Sequence, residues 1–183
     1  MKNRLFLLLA ALCAFAFTAC EGDGDADYGF SRIYMPQALS TGGLDNSYAV
    51  PASSSVNTYN FRVEEGEVRI ILGVMRSGSF DKAGGFTVKV GVSLPATAEA
   101  AAAFGGEAMP EVYSLPESVT VPKGRSGESF YLAIPVSSLT RSEYAGKKWV
   151  LAVGISEPSA YELAERGTVT AVVVDVDALK ALL

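Results

Sequence analysis

From residue 67 onward, hydrophobic residues recur with a period of two. In the segment 86–94, Phe86, Val88, Val90, Val92 and Leu94 fall on one face, and Thr87, Lys89, Gly91 and Ser93 fall on the other. A helix would repeat about every 3.6 residues, so this pattern predicts an antiparallel strand with one buried side, Val90 inside and Lys89 in solvent. Phe130, Leu132, Ile134 and Val136 repeat the pattern, with Pro135 marking an edge or a strand end. Trp149, Leu151, Val153 and Ile155 repeat it again, which predicts Trp149 in the core. The same phase puts Tyr131 on the face opposite Phe130 and Leu132. Residues 168–176 form a continuous Val-rich run, the pattern of a strand buried on both faces. The segments 67–76, 118–121 and 31–35 supply three further strands.

Turn clusters at Ser77-Gly78-Ser79, at 82–85, at Pro122-Lys123-Gly124 and at Glu157-Pro158-Ser159 separate these runs. Two segments break the period. The Ala-rich stretch 97–104 predicts a short helix capped by Thr97, and 177–183 predicts a last helical turn or a frayed end. The stretch from Tyr28 to Phe61 is rich in Ser, Asn, Gly and Tyr and reads as one edge strand followed by a long irregular excursion. About seven short strands with turn signals between them predict an all-β fold, an immunoglobulin-like antiparallel β-sandwich with one short helix. A closed barrel is the alternative.

Composition narrows the chemistry. A chain of 183 residues suits a single domain with a real core. It contains no histidine, which removes imidazole acid–base catalysis, Ser-His-Asp triads and His-ligated metals. Its 15 basic and 20 acidic residues give a net charge of −5, which argues against a nucleic-acid partner. Cys13 and Cys20 are its two cysteines.

Both lie in an N-terminal segment that reads as an address. Lys2 and Arg4 precede the apolar run 5–17, too short for a membrane-spanning helix of about 20 residues but suited to a secretory signal over residues 1–19. Phe17-Thr18-Ala19-Cys20 resembles a bacterial lipobox, with Phe17 in place of the usual Leu. The alternative is an ordinary signal cut at Ala19, which would leave Cys20 a free thiol. Lipidation of Cys20 would attach the protein to a membrane, since each buried methylene contributes about 0.8 kcal/mol. Cleavage would leave a chain without a disulfide, so core packing alone must hold the fold. Residues 20–29 then carry Glu21, Asp23, Asp25 and Asp27 among glycines, a composition that predicts a flexible, self-repelling tether. A calcium loop of EF-hand type would need Gly and Glu where Tyr28 and Tyr34 stand. The acidic stretch resembles the surface-export signal of Bacteroidota lipoproteins. Residues 30–183 form the single folded domain.

Several segments together resemble one family. After the lipobox and acidic tether come Ile33-Tyr34-Met35-Pro36-Gln37-Ala38, then the alternating pair over 67–94. Tyr113-Ser114-Leu115-Pro116 leads into Val119-Thr120-Val121-Pro122-Lys123-Gly124, and strands at 128–136 and 148–155 follow. This arrangement is similar to the Bacteroidota surface-lipoprotein family built on domain of unknown function 1735. The likeness spans about residues 30–175 and rests on structural rather than chemical motifs. It implies an immunoglobulin-like domain, a place on the cell outer membrane, and an association with glycan-uptake proteins. It transfers no catalytic residue and no cofactor. Such domains commonly precede a second, effector domain, and a chain ending at Leu183 is expected to lack one.

Carboxylates alone would have to carry any catalysis. The candidates are Glu64, Glu65 and Glu67 beside a turn, and Asp175 with Asp177 at a strand end, where a calcium site is the other reading. Carboxylates at such places are ordinarily solvated, and the expectation is a protein that is not an enzyme and holds no metal. Binding is the better reading. Tyr28, Phe30, Tyr34, Tyr48, Tyr59 and Phe61 concentrate rings in the N-terminal third, with Asn46, Asn57 and Asn60 beside them. Of these, Tyr34, Tyr48, Tyr59 and Phe61 are the candidate ligand-binding rings, unless they seal the end of the core. The alternative function is a structural or adhesive module, such as a pilus-like subunit or a partner-docking domain.

Overall fold

The computed structural model describes residues 31–40, 47–52, 60–78 and 84–183. Cys20, the acidic residues Glu21, Asp23, Asp25 and Asp27, and Tyr59 lie outside them, as do Tyr28, Phe30, Asn46 and Asn57. In chain order the elements are β1 (Arg32–Tyr34), α1 (Gln37–Ser40), β2 (Ser47–Val50), β3 (Phe61–Glu64), β4 (Glu67–Arg76) and β5 (Phe86–Val92). There follow α2 (Leu94–Phe104), β6 (Glu107–Ala108), β7 (Ser118–Val121), β8 (Gly127–Pro135) and α3 (Val136–Leu139). A short 3-10 turn at Ser142–Tyr144, β9 (Lys148–Ser156), β10 (Glu162–Leu163), β11 (Val169–Asp175) and α4 (Val176–Lys180) complete the chain.

The strands form two sheets, the β-sandwich of immunoglobulin-like class that the alternation predicts. In the front sheet, β4 carries β8 along one edge and both β3 and β1 along the other, with β10 beyond β1. The back sheet runs β2-β11-β9-β5-β7, with β6 beside β9. Val68, Ile70, Leu72 and Val74 of β4 and Phe130, Leu132 and Ile134 of β8 are buried on one side of the core. Phe86, Val88, Trp149, Leu151, Val153, Val172 and Val174 meet them from the back sheet. Trp149 is fully buried, edge-on to Tyr144 at 4.8 Å.

Local differences from the expectation have local causes. β2, β3, β6 and β10 are two to four residues long, too short to print a period, so more strands are present than the seven foreseen. Three of the pairings, β1 with β10, β2 with β11 and β6 with β9, are parallel and sit at the flanks of antiparallel ladders. The helix begins at Leu94 rather than Thr97. Ser93 caps it, its hydroxyl accepting from Ala96 N at 3.4 Å, and Pro95 fits the first turn. Leu94 therefore leaves the strand face and is 75% exposed.

The helix also decides which strand is buried twice. It lies on the outside of the back sheet over β9, where Val150 and Ala152 are buried although they point away from the core. The Val-rich run of β11 predicts a strand covered on both faces, yet Val169 and Val173 are partly open while β9 is closed from Trp149 to Val153. Thr97 fixes the docking: its Oγ1 accepts from Ala152 N at 2.9 Å, and Ser93 N donates to Ala152 O at 2.9 Å. Thr97→Val would leave the Ala152 N–H buried without an acceptor. It should destabilise the protein by about 1–3 kcal/mol in urea denaturation, and Thr97→Ser should restore most of the loss.

On its β1/β3 edge, β4 has a gap between the two short partners. Ile71 N reaches Asn60 O at 2.8 Å, and Gly73 N donates to the Gln37 side-chain Oε1 at 3.2 Å, so side chain and loop fill the places a strand would take. Asn60 is itself buried and ties the two sheets, its Nδ2 donating to Ala49 O of β2 at 2.5 Å.

Candidate functional site

α2 covers the back sheet over β9 and leaves the outward side of β5 and β7 open, and the outer face of the front sheet is open as well. Register assigns its occupants. Tyr131 is paired with Ile71, Arg62 with Arg69, and Tyr34 with Met75, and all six point away from the core strip of Ile70, Leu72 and Val74. The expected opposition of Tyr131 to Phe130 and Leu132 is thus what the sheet displays. Arg62 lies over the Tyr131 ring, 5.0 Å from its centroid, so guanidinium and phenol form one stacked unit at the surface.

The four candidate rings do not meet. Tyr34 faces outward and is half-buried. Tyr48 is in register with Val172, and Phe61 with Ile70, so both turn inward and pack against the core. Tyr59 is outside the described residues. What the aromatic count did not reveal was face, because face depends on a distant strand's register.

Two depressions flank β8. One, of about 250 Å³, opens beside Gln37, Gly73, Met75, Arg125, Gly127, Glu128 and Ser129. Glycine is required at 127 by the close approach of β8 to β4, since a Cβ there would stand 2.5 Å from Val74 O. The other, of about 450 Å³, is the cleft between β7 and β8, lined by Ser114, Leu115, Pro116, Ser118, Val119, Thr120, Phe130 and Tyr131. Glu128 and Ser129 border both. The two depressions adjoin at Glu128 and Ser129 and together present hydroxyls, a planar amide, carboxylate and guanidinium groups, and two aromatic rings, Phe130 and Tyr131. A third cavity, of about 470 Å³ beside Val50, Pro51, Val173, Ala178 and Leu182, is mostly aliphatic and offers few polar groups. Gly73 in mid-strand was the sequence signal for the first depression, since glycine within a strand marks close backbone approach.

The carboxylates considered for catalysis have structural partners. Arg69 meets Glu64 at 3.0 Å, Glu65 at 2.6 Å and Glu67 at 3.3 Å, and Arg62 meets Glu64 at 3.2 Å. The hydrogen bond to Glu65 raises the Arg69 pKa; desolvation opposes it, and the Glu67 hydrogen bond and the charges of Glu65 and Glu64 add to it. This cluster sits on the β3–β4 hairpin, whose two central residues, Glu65 and Gly66, both have positive φ, as a tight two-residue turn requires. Asp175 caps α4 by accepting from Ala178 N at 2.9 Å, and Asp177 accepts from Gly146 N at 3.0 Å. Tyr113 has its pKa raised, first by burial and then by the nearby Glu111 charge. Among the described residues no three metal-ligating side chains cluster.

No known family model and no curated protein matches this sequence. Solved structures do match its fold. A candidate carbohydrate-binding protein from Bacteroides ovatus superposes with a TM-score of 0.50 at 12% identity, over 79% of this chain and 36% of that one. A Bacteroides ovatus protein of unknown function gives 0.51 at 17% identity, over 80% and 45%. The neighbours include a Bacteroides ovatus multidomain protein containing domain of unknown function 1735, at 0.48 and 15% identity over 72% and 40%. At these identities the likeness is one of fold, and this chain spans less than half the length of each of the three proteins.

Proposed function

We propose that this protein is a non-catalytic, lipid-anchored surface lipoprotein whose sandwich binds glycan on the outer face of the front sheet. The observation that supports it is the track along β8. There the Tyr131 ring, with Arg62 stacked over it, and the Ser129 hydroxyl lie beside two adjoining depressions, one bordered by Gln37, Arg125 and Glu128 and the other by Ser118 and Thr120 of β7 across the cleft. Sugar rings present apolar C–H faces and a fringe of hydroxyls, and a shallow polar cleft with an aromatic wall is complementary to both. The fold likeness to a candidate carbohydrate-binding protein is in keeping with this reading. Anchoring is assigned to Cys20, export to the acidic residues that follow it, and the expected partners are glycan-uptake proteins of the outer membrane. A glycan array probed with the processed full-length protein tests the binding: a restricted set of hits is expected, and an empty array would sink the proposal. For the anchor, Cys20→Ala should abolish incorporation of a fatty-acid analogue and release the protein from the membrane fraction. Equal labelling of variant and wild type would refute lipidation at this residue.

A further inference from the structure

β8 has one edge that the fold leaves open. Ser114 and Ala133 exchange hydrogen bonds at 2.9 and 3.0 Å, so the N–H and C=O of Ala133 point away from β4. By alternation, the backbone groups of Gly127, Ser129 and Tyr131 point the same way. The opposite strand agrees, because Ile71 N and Gly73 N, across from Tyr131 and Ser129, turn away from β8 toward Asn60 and Gln37. Beyond β4 and the single Ser114 bridge, β8 has no ladder partner among the described residues. The pairing that Ser114 begins stops for a chemical reason. Continued two residues further, it would set Pro116 opposite Tyr131, and proline has no N–H to give. The chain then crosses to the back sheet and becomes β7, opening the cleft of about 450 Å³ between β7 and β8.

We propose that this edge of β8 is a docking site for an extended segment of a partner polypeptide, which adds as a strand to the front sheet. The occupant is specified by what is offered. Donor–acceptor pairs repeating at about 6.8 Å, twice the rise of a strand residue, match an extended peptide backbone. Beneath them, Leu115, Val119 and Phe130 form an apolar floor for every second side chain of the incoming strand. The edge also lacks the usual guards: no lysine lies between Gly127 and Ile134, and the strand's proline stands only at its end, Pro135. The added strand would lie in the β7–β8 cleft that also borders the glycan track, but it is recognised through the backbone of β8, so its failure with an N-methylated peptide leaves the glycan reading untouched.

The test is amide hydrogen exchange by NMR on the processed full-length protein, with an end-blocked hexapeptide of alternating threonine and valine as probe. Alone, Ser129 and Tyr131 should exchange quickly while Phe130 and Leu132, bonded to β4, exchange slowly. At millimolar peptide, exchange at Ser129 and Tyr131 should slow at least tenfold. Ser129→Pro, which removes an outward N–H that β4 does not use, should weaken binding at least tenfold. A peptide N-methylated on alternate residues should also fail to bind, which keeps the test independent of how the proline variant folds. No slowing, or equal binding of the methylated peptide, overturns the proposal. Slow exchange without peptide that depends on protein concentration would also overturn it, by showing that a second copy occupies the edge.

Discussion

Trp149→Ala should destabilise the protein by about 3–5 kcal/mol, a large share of the roughly 5–15 kcal/mol that holds a domain of this size folded. The indole is fully buried between the sheets and packs edge-on against Tyr144, with the ring planes at 80°. Truncation would leave a cavity in a two-layer core that has no disulfide among its described residues to limit relaxation. The indole Nε1 is buried without a hydrogen-bond partner, so the native site already carries an unpaired donor. Trp149→Phe keeps an aromatic ring and removes that donor, and should therefore lose much less, about 1–2 kcal/mol. Urea denaturation of the three proteins measures both values. A loss under about 1 kcal/mol for the alanine variant would show that the indole is not the centre of the core.

Val88→Asp should be comparably damaging, and its neighbour should tolerate the same change. Val88 is fully buried and pairs with Val119 across β5 and β7. A carboxylate there has no cation to meet and should cost several kcal/mol, commonly enough to prevent folding. Lys89 points out and pairs with Glu157 at 2.6 Å, both side chains well exposed. Lys89→Asp replaces a surface ion pair by a surface repulsion and should lose no more than about 1 kcal/mol. Val90 shares the inward face with Val88 but is only half-buried, so Val90→Asp should fall between the two. Expression yield and thermal midpoints of the three variants would report the order directly. Similar midpoints for Val88→Asp and Lys89→Asp would contradict the strand's phase, because a slip of one residue exchanges the faces.

These two sites also mark how far the sequence could be read. β4, β5, β8 and β9 are long enough for alternation to declare itself, and the sandwich follows from them together with the position of Trp149. The short strands were hidden because a segment of two to four residues carries no period. The helix start is hidden in the sequence because Ser93 and Leu94 continue the alternation of β5, while the Ser93 cap and Pro95 break it in space. The aromatic candidates show the same limit. Tyr131 could be placed outside from its phase against Phe130 and Leu132. Tyr48 and Phe61 could not be placed, because their faces are set by pairing with Val172 and Ile70, contacts that no local pattern encodes. The depression at Gly73 and Gly127 requires two strands side by side, and the open edge of β8 requires knowing that the chain departs at Pro116 for the other sheet.

We propose the outer face of the front sheet, rather than the back sheet that carries α2, as the glycan-binding surface. It is tested most directly by calorimetric titration of the strongest array ligand into the wild type, Tyr131→Ala and Glu99→Ala. Tyr131 lies on the track along β8, while Glu99 is an exposed residue of α2 on the opposite side of the molecule. Tyr131→Ala should weaken binding at least tenfold, about 1.4 kcal/mol or more, and Glu99→Ala should leave it unchanged. Unaltered affinity in a folded Tyr131→Ala protein, or a loss confined to Glu99→Ala, would contradict the assignment of the surface.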